Sequence, residues 1–291
     1  MSPIRLPEEL DLRFYRNYYP DLSAMDDSAL RRHFRFHGRE EGRFSNLIFS
    51  RHEFISLIPP DLDVLEIGPF YTPVLKGPKV RYFDVLSKDA LYQRAMDHGL
   101  PVNNIPFIHY VDPYGDLRTI QDRFDLVLSS HVIEHQPDLV DHLQAVAALL
   151  RPGGYYFLMI PDKRYIFDHF LPETQISEII ARHLEKQKTH SLKSVIEHRA
   201  LLTHNEPARH WAGDHGSPDE GFAEKVHSAI REFQDANGRY IDVHASQFTP
   251  ASFERTIRLL RELGWISFEI CRTYHTRRDQ NEFCVVLQLK S

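Results

Sequence analysis

The chain has 291 residues, of which 42% are hydrophobic and 26% charged, with a net charge of −6. That size buries a full core with room for additions, the composition is that of a globular protein, and the acidic balance gives no support for a nucleic-acid partner. No apolar run reaches membrane-span length, MSPIRLPEEL lacks a signal-type apolar segment, and Cys271 and Cys284 form no disulfide framework, so the expected setting is reduced and cytoplasmic.

Residues 1–50 are charged and aromatic. LDLRFYRNYYPDL carries Leu10, Phe14, Tyr15, Tyr18 and Tyr19 before Pro20. DDSALRRHFRFHGREEGRF sets Leu30, His33, Phe34 and His37 on one face, with Ser28 as a cap candidate and Gly38 as a stop. The pattern predicts a small helical hairpin with an aromatic seam.

Residues 51–162 alternate strands and helices. DVLEIG is a strand, KVRYFDV a second one ending in Asp84, LYQRAMDHGL a helix, and FIHYVD a third strand. DLVLSS follows as a fourth. Leu139, Leu143, Val146, Leu149 and Leu150 then recur at helical spacing, and Arg151-Pro152-Gly153-Gly154 reads as the helix stop. Tyr155 to Ile160 is the fifth strand. Such alternation predicts a doubly wound parallel sheet.

Residues 163–247 are polar, His-rich and mostly helical. From 248 the α/β pattern resumes with TPASFERTIRLLRELGW, capped by Thr249 or Ser252, and then ISFEICRTY and EFCVVLQLK as a hairpin. The expected organisation is an N-terminal helical module (1–50), an α/β domain in two pieces (51–162 and 248–291) and a helical insertion (163–247). The insertion is too long for a plain connection and is read as a lid that binds the acceptor.

In open α/β sheets, ligands bind beyond the carboxyl ends of the strands. Glu66 and Gly68 close the first strand, Asp84 closes the second and Asp112 the third. A glycine there lets backbone approach a ligand, and a strand-end carboxylate suits ribose hydroxyls. Only Gly68 remains of a glycine-rich loop in LEIGPFYTPVL, so the dinucleotide fingerprint is missing. His131, Glu134 and His135 follow the fourth strand at once, and Asp162 ends the fifth.

LEIGP, then FDV, then FDLVLSSHVIEHQPD, then LLRPGG before a strand, resembles a class I S-adenosylmethionine-dependent methyltransferase. The likeness covers about residues 60–162 and resumes from 248 to 290. It implies a Rossmann-like seven-stranded sheet, five parallel strands plus a C-terminal hairpin, and S-adenosylmethionine as cofactor. By resemblance, Glu66 and Gly68 line the methionine part, Asp84 holds the ribose, Asp112 approaches the adenine, and Pro69 and Ser130 complete the cofactor set. FYRNYYPDLSAMDDSALRRHFRFHGREEGR resembles a helical module found beside glycosyltransferases of bacterial polysaccharide assembly. PDKRYIFDHF and YIDVHASQFTP resemble methyltransferases of the same context. These likenesses imply a carbohydrate hydroxyl as acceptor, with glycosyltransferases of the pathway as partners.

Methyl transfer is an in-line displacement, and positioning supplies ~7–11 kcal/mol of the barrier. A hydroxyl acceptor must lose its proton, which histidine suits at neutral pH. His135 is the first candidate for that base and His131 the second. Asp162 is placed to orient a histidine or bind acceptor hydroxyls. His169 and His244, at the two ends of the insertion, are candidates to face the site from the lid. No ligand set has a tight metal-binding spacing, so the expectation carries no metal. The alternative set would be Asp162, His169, Asp242 and His244. Trp211, Tyr165 and Tyr240 are candidates to stack on sugar rings. Competing readings are a methyltransferase of another small-molecule acceptor and a non-catalytic docking protein on a cofactor fold.

Overall fold

A computed structural model describes residues 4–290. Seven strands form one sheet: β1 (Val64–Ile67), β2 (Val80–Asp84), β3 (Tyr110–Val111), β4 (Phe124–Ser130), β5 (Leu150–Pro161), β6 (Phe268–Tyr274) and β7 (Glu282–Leu289). Their order is β3-β2-β1-β4-β5-β7-β6. The first five run parallel, and β7 lies antiparallel to both β5 and β6. The order reverses direction between β1 and β4, the place where such sheets open a crevice. This is a seven-stranded, doubly wound Rossmann-like sheet closed by a C-terminal antiparallel hairpin.

Helices cover both faces. In chain order they are α1 (Leu12–Tyr18), α2 (Asp27–His33), α3 (Arg51–Ile55), α4 (Lys88–Asp97) and α5 (Leu139–Leu149). The insertion supplies α6 (Ile176–Leu184), α7 (Leu192–Ala200), α8 (Pro207–Trp211) and α9 (Phe222–Ala236), and α10 (Pro250–Glu262) follows it. One core face joins Leu65, Val127, Leu143, Val146, Phe253 and Leu260. The other joins Leu126, Leu128, Phe157, Met159 and Phe54. Both faces of the central strands are thus apolar, as a parallel sheet requires. Caps set the helix starts: Asp138 accepts from Asp141 N on α5, and Thr249 and Ser252 form a capping box on α10.

Three local expectations need correction. Asp26, not Ser28, caps α2, because its carboxylate reaches Ala29 N and Ser28 already lies inside the helix. The helix α5 also stops earlier than the glycine pair suggests. Leu150 is already extended and pairs with Phe124, so Gly153 and Gly154 lie inside β5. They absorb a register irregularity between Phe124 and Leu126, and a Cβ on Gly154 would sit 3.0 Å from Asp125 O. The third strand is also shorter than FIHYVD implies, holding only Tyr110 and Val111.

The N-terminal segment packs Tyr15, Leu22, Leu30 and Phe34 together. Arg277, buried in the β6–β7 connection, ties it down by donating to Arg43 O, Ser45 Oγ and Asn46 Oδ1. The insertion leaves and returns at one point. Asp162 bridges Phe248 in parallel, and Lys163 N donates to Phe248 O at 2.9 Å. Within it, α7 and α9 bury Val195, Ala229, Ile241 and Val243 in a cluster of their own.

Candidate active site

At the β1–β2 edge, Gly68 sits in the left-handed region (φ +68°), and a Cβ there would meet Val132 Cγ2 at 2.8 Å. The loop beyond it turns through Pro69 and then Phe70, which holds φ +41° without being glycine. Glu66 is 1% exposed and points back under this loop, where Oε1 accepts from Val74 N at 2.7 Å and Oε2 from Leu75 N at 2.9 Å. Burial raises its pKa to about 7 against those two amides. Glu66 therefore shapes the loop that follows β1.

Asp84 is buried at the end of β2, and its Oδ1 accepts from Leu86 N at 3.1 Å. Burial raises its pKa, opposed by the amides of Leu86, Phe70 and Val85. Asp112 N donates to Asp84 O, and its carboxylate folds onto Tyr114 N and Asp116 N. A left-handed glycine facing Val132, with a strand-end carboxylate next to it, fits a nucleoside held across the strand ends. Gly68, Pro69, Asp84 and Asp112, with Ser130 half-buried at the end of β4, are the residues there that could hold such a group.

Beyond β4 and β5 lies a cavity of about 270 Å³. His131 enters it with φ +52°, a strained value for a non-glycine residue. Its Nε2 meets Glu282 Oε2 at 2.8 Å, and Arg51 grips the same carboxylate, Nε to Oε1 at 2.9 Å. Burial pushes the Glu282 pKa up, but His131 and Arg51 outweigh it and hold the group down at about 2. A short turn then carries Glu134 and His135. Glu134 is 1% exposed, and neither carboxylate oxygen has a hydrogen-bond partner among the described residues.

The returning limb of the insertion completes the cavity. Ala245 N and Ser246 N both donate to Glu134 O, at 2.7 and 3.0 Å. That clamp sets His244 beside His135, with ring centroids 4.6 Å apart and planes nearly perpendicular. His244 Nδ1 meets Asp168 Oδ2 at 2.5 Å, and His135 Nδ1 approaches Asp242 Oδ1 at 3.1 Å. Burial lowers the His244 pKa to about 3, with His135 adding to the fall, and raises that of Asp168 to about 7. Burial also pulls His135 down, but the carboxylates of Asp242 and Glu134 outweigh it and its pKa is raised.

Of the histidines singled out by sequence, His131, His135 and His244 line this cavity. Asp162 and His169 lie outside its lining. Asp162 is fully buried and accepts from Arg164 Nε and Nη2 and from Thr276 Oγ1. The His169 ring stacks on His215 at 3.7 Å, and its Nδ1 meets Arg164 O. Tyr165 and Trp211 stack on each other at 3.9 Å, while Tyr240 stays half-exposed beside His190. Sequence reasoning gave no role to Glu134, Asp168, His198 or Glu282. Only Glu134 had a local signal, its place between two histidines at a strand end.

This architecture defines a class. Residues 39–204, more than half of the chain, match the family described as a methyltransferase domain, and the chain belongs to that family. It is a methyltransferase. No curated protein matches the sequence. Among solved structures, the chain is similar to the CcbJ methyltransferase from Streptomyces caelestis, with 13% identity and TM-score 0.40, covering 87% of this chain and 94% of that one. It is similar to an S-adenosylmethionine-dependent methyltransferase from Clostridium acetobutylicum ATCC 824, with 10% identity and TM-score 0.41, over 91% and 99% of the two chains. It also resembles the CurJ carbon methyltransferase, with 14% identity and TM-score 0.38, over 81% of this chain but about half, 51%, of that one.

Proposed function

We propose that the protein is an S-adenosylmethionine-dependent O-methyltransferase acting on a sugar hydroxyl of a saccharide or polysaccharide. The cofactor, when bound, supplies a methyl group on a sulfonium centre. Gly68, Pro69, Asp84, Asp112 and Ser130 hold it across the strand ends. The acceptor lies in the cavity beyond β4 and β5, under the lid formed by residues 163–247.

One observation carries this reading: eight of the eleven side chains lining the cavity are polar or ionisable, and they include a histidine–carboxylate cluster. A polyhydroxyl acceptor suits such a lining, with Asn205, Asn281 and Asp242 as hydrogen-bond partners. The hydroxyl proton passes to the cluster, in which His135 holds the central place. His131 is braced at the rim by Glu282. Asp162 and His169 act on the cavity only through the segments they hold in place. The glycan context, with glycosyltransferases as partners in the cytoplasm, rests on the likeness of the N-terminal module.

The test is calorimetry with S-adenosylmethionine followed by methyl transfer to a panel of sugar nucleotides and oligosaccharides. Cofactor binding with methylation of a hydroxyl is the expected outcome. Binding with transfer only to carbon or nitrogen acceptors contradicts the sugar reading. Absence of binding at millimolar cofactor contradicts catalysis.

A further inference from the structure

The Glu134 carboxylate is buried and unpartnered, which is unfavourable for a charged group unless something compensates it. Three imidazole nitrogens surround its Oε1: His135 Nε2 at 3.8 Å, His244 Nε2 at 3.9 Å and His131 Nδ1 at 3.9 Å. These separations are too long for hydrogen bonds, which end near ~3.2 Å for nitrogen and oxygen. A proton on Glu134 would remove the charge and still leave both oxygens without a hydrogen-bond partner, whereas a shared cation would compensate the charge and partner an oxygen at once. Metal bonds of about 2.0–2.2 Å to nitrogen and oxygen set neighbouring ligand atoms roughly 3–3.5 Å apart, about half an ångström inside the spacing seen here.

We infer that Glu134, His135 and His244 form a binding site for a divalent first-row transition-metal ion. Ligand atoms of these three residues all lie within 4.8 Å of one another. Both Nε2 atoms lie within 4 Å of the same Glu134 oxygen, and the two rings stand nearly perpendicular. Each ring has its other nitrogen at a carboxylate of the insertion, Asp242 for His135 and Asp168 for His244. Metal-bound histidines are oriented in this way by an outer carboxylate. Two imidazoles and one carboxylate favour zinc, manganese, iron or cobalt over magnesium or calcium. All three residues line the cavity, so the ion would adjoin the acceptor oxygen and lower the pKa of its hydroxyl; with the ion bound His135 is a ligand and not the base, and that last step rests on the function proposed above.

A second histidine group, His169, His210 and His215, also brings ligand atoms together. It carries no such inference, because the His169 and His215 planes lie parallel (11° apart) and their in-plane lone pairs do not converge.

The test is a Co²⁺ titration of the chelator-stripped full chain, read by visible d–d absorption and by calorimetry. One equivalent should bind with nitrogen-ligand bands. Glu134→Gln and His244→Ala should each weaken binding by at least about 100-fold, and Asp168→Asn by about 10–100-fold, the usual effect of losing an outer carboxylate. His215→Ala should leave binding unchanged. Circular dichroism and S-adenosylmethionine affinity certify that each variant is folded. If Glu134→Gln misfolds, the His244→Ala and Asp168→Asn pair decides alone. No binding at 100 µM (about the weakest affinity compatible with a resident ion), or binding lost in His215→Ala but kept in Glu134→Gln, overturns the site. Methylation that persists in a stripped enzyme overturns the metal but not the methyltransferase. Cobalt binding without methylation does the reverse.

Discussion

The two halves of the carboxyl edge treat their carboxylates in opposite ways. At β1–β2, Glu66 and Asp84 are buried and satisfied by backbone amides of the loops they brace. At β4–β5, Glu134 is as deeply buried, and neither of its carboxylate oxygens has a hydrogen-bond partner among the described residues. The first half is built to hold a shape. The second sets a buried carboxylate against three imidazoles at a cavity. Under the proposed function, this difference assigns cofactor binding to one half and acceptor chemistry to the other, which makes the two separately breakable.

The largest effect is expected in the second half. His135→Ala should lower turnover by about 10²–10⁴-fold, the range for losing a group that handles the reacting proton. Its S-adenosylmethionine affinity, read by calorimetry, should change little. In the first half, Asp84→Ala should weaken cofactor binding by about 10–100-fold, since a charged hydrogen-bonding partner contributes ~1.5–3 kcal/mol. Saturating cofactor should then restore most of its turnover. A loss of turnover without a change in affinity would erase the contrast. Gly68→Ala should destabilise the fold by about 1–3 kcal/mol, because φ +68° strains any side chain and Val132 crowds the Cβ. Thermal denaturation reads that change. The smallest effect belongs to neither half: Thr249→Ala removes the α10 cap and should lower stability by about 1 kcal/mol with both functions intact.

What the sequence made legible follows the reach of each interaction. The order of strands came from alternation, and Gly68 and Asp84 came from strand ends, because both signals sit within a few residues. LRPGG was misread as a helix stop because glycine marks a helix end and a strand irregularity equally well. The pairing of Leu150 with Phe124 decides between them, and that pairing lies far away in sequence. Asp162 carries the same strand-end signal as Asp84, yet Arg164 and the distant Thr276 engage it. His244 and His169 flank the insertion alike, and only the clamp of Ala245 and Ser246 on Glu134 turns one of them into the cavity. The unpartnered state of Glu134 depends on groups from three separate segments, so no local pattern contains it.

The central claim is that the histidine–carboxylate cavity, and not the β1–β2 edge, performs the acceptor chemistry. The most direct test is Glu134→Gln, assayed for S-adenosylmethionine affinity and for single-turnover methyl transfer on the same preparation. The account predicts unchanged affinity, within about 3-fold, and loss of transfer by at least about 100-fold, ~2.7 kcal/mol in the barrier. Transfer at the wild-type rate, with affinity intact, would contradict it.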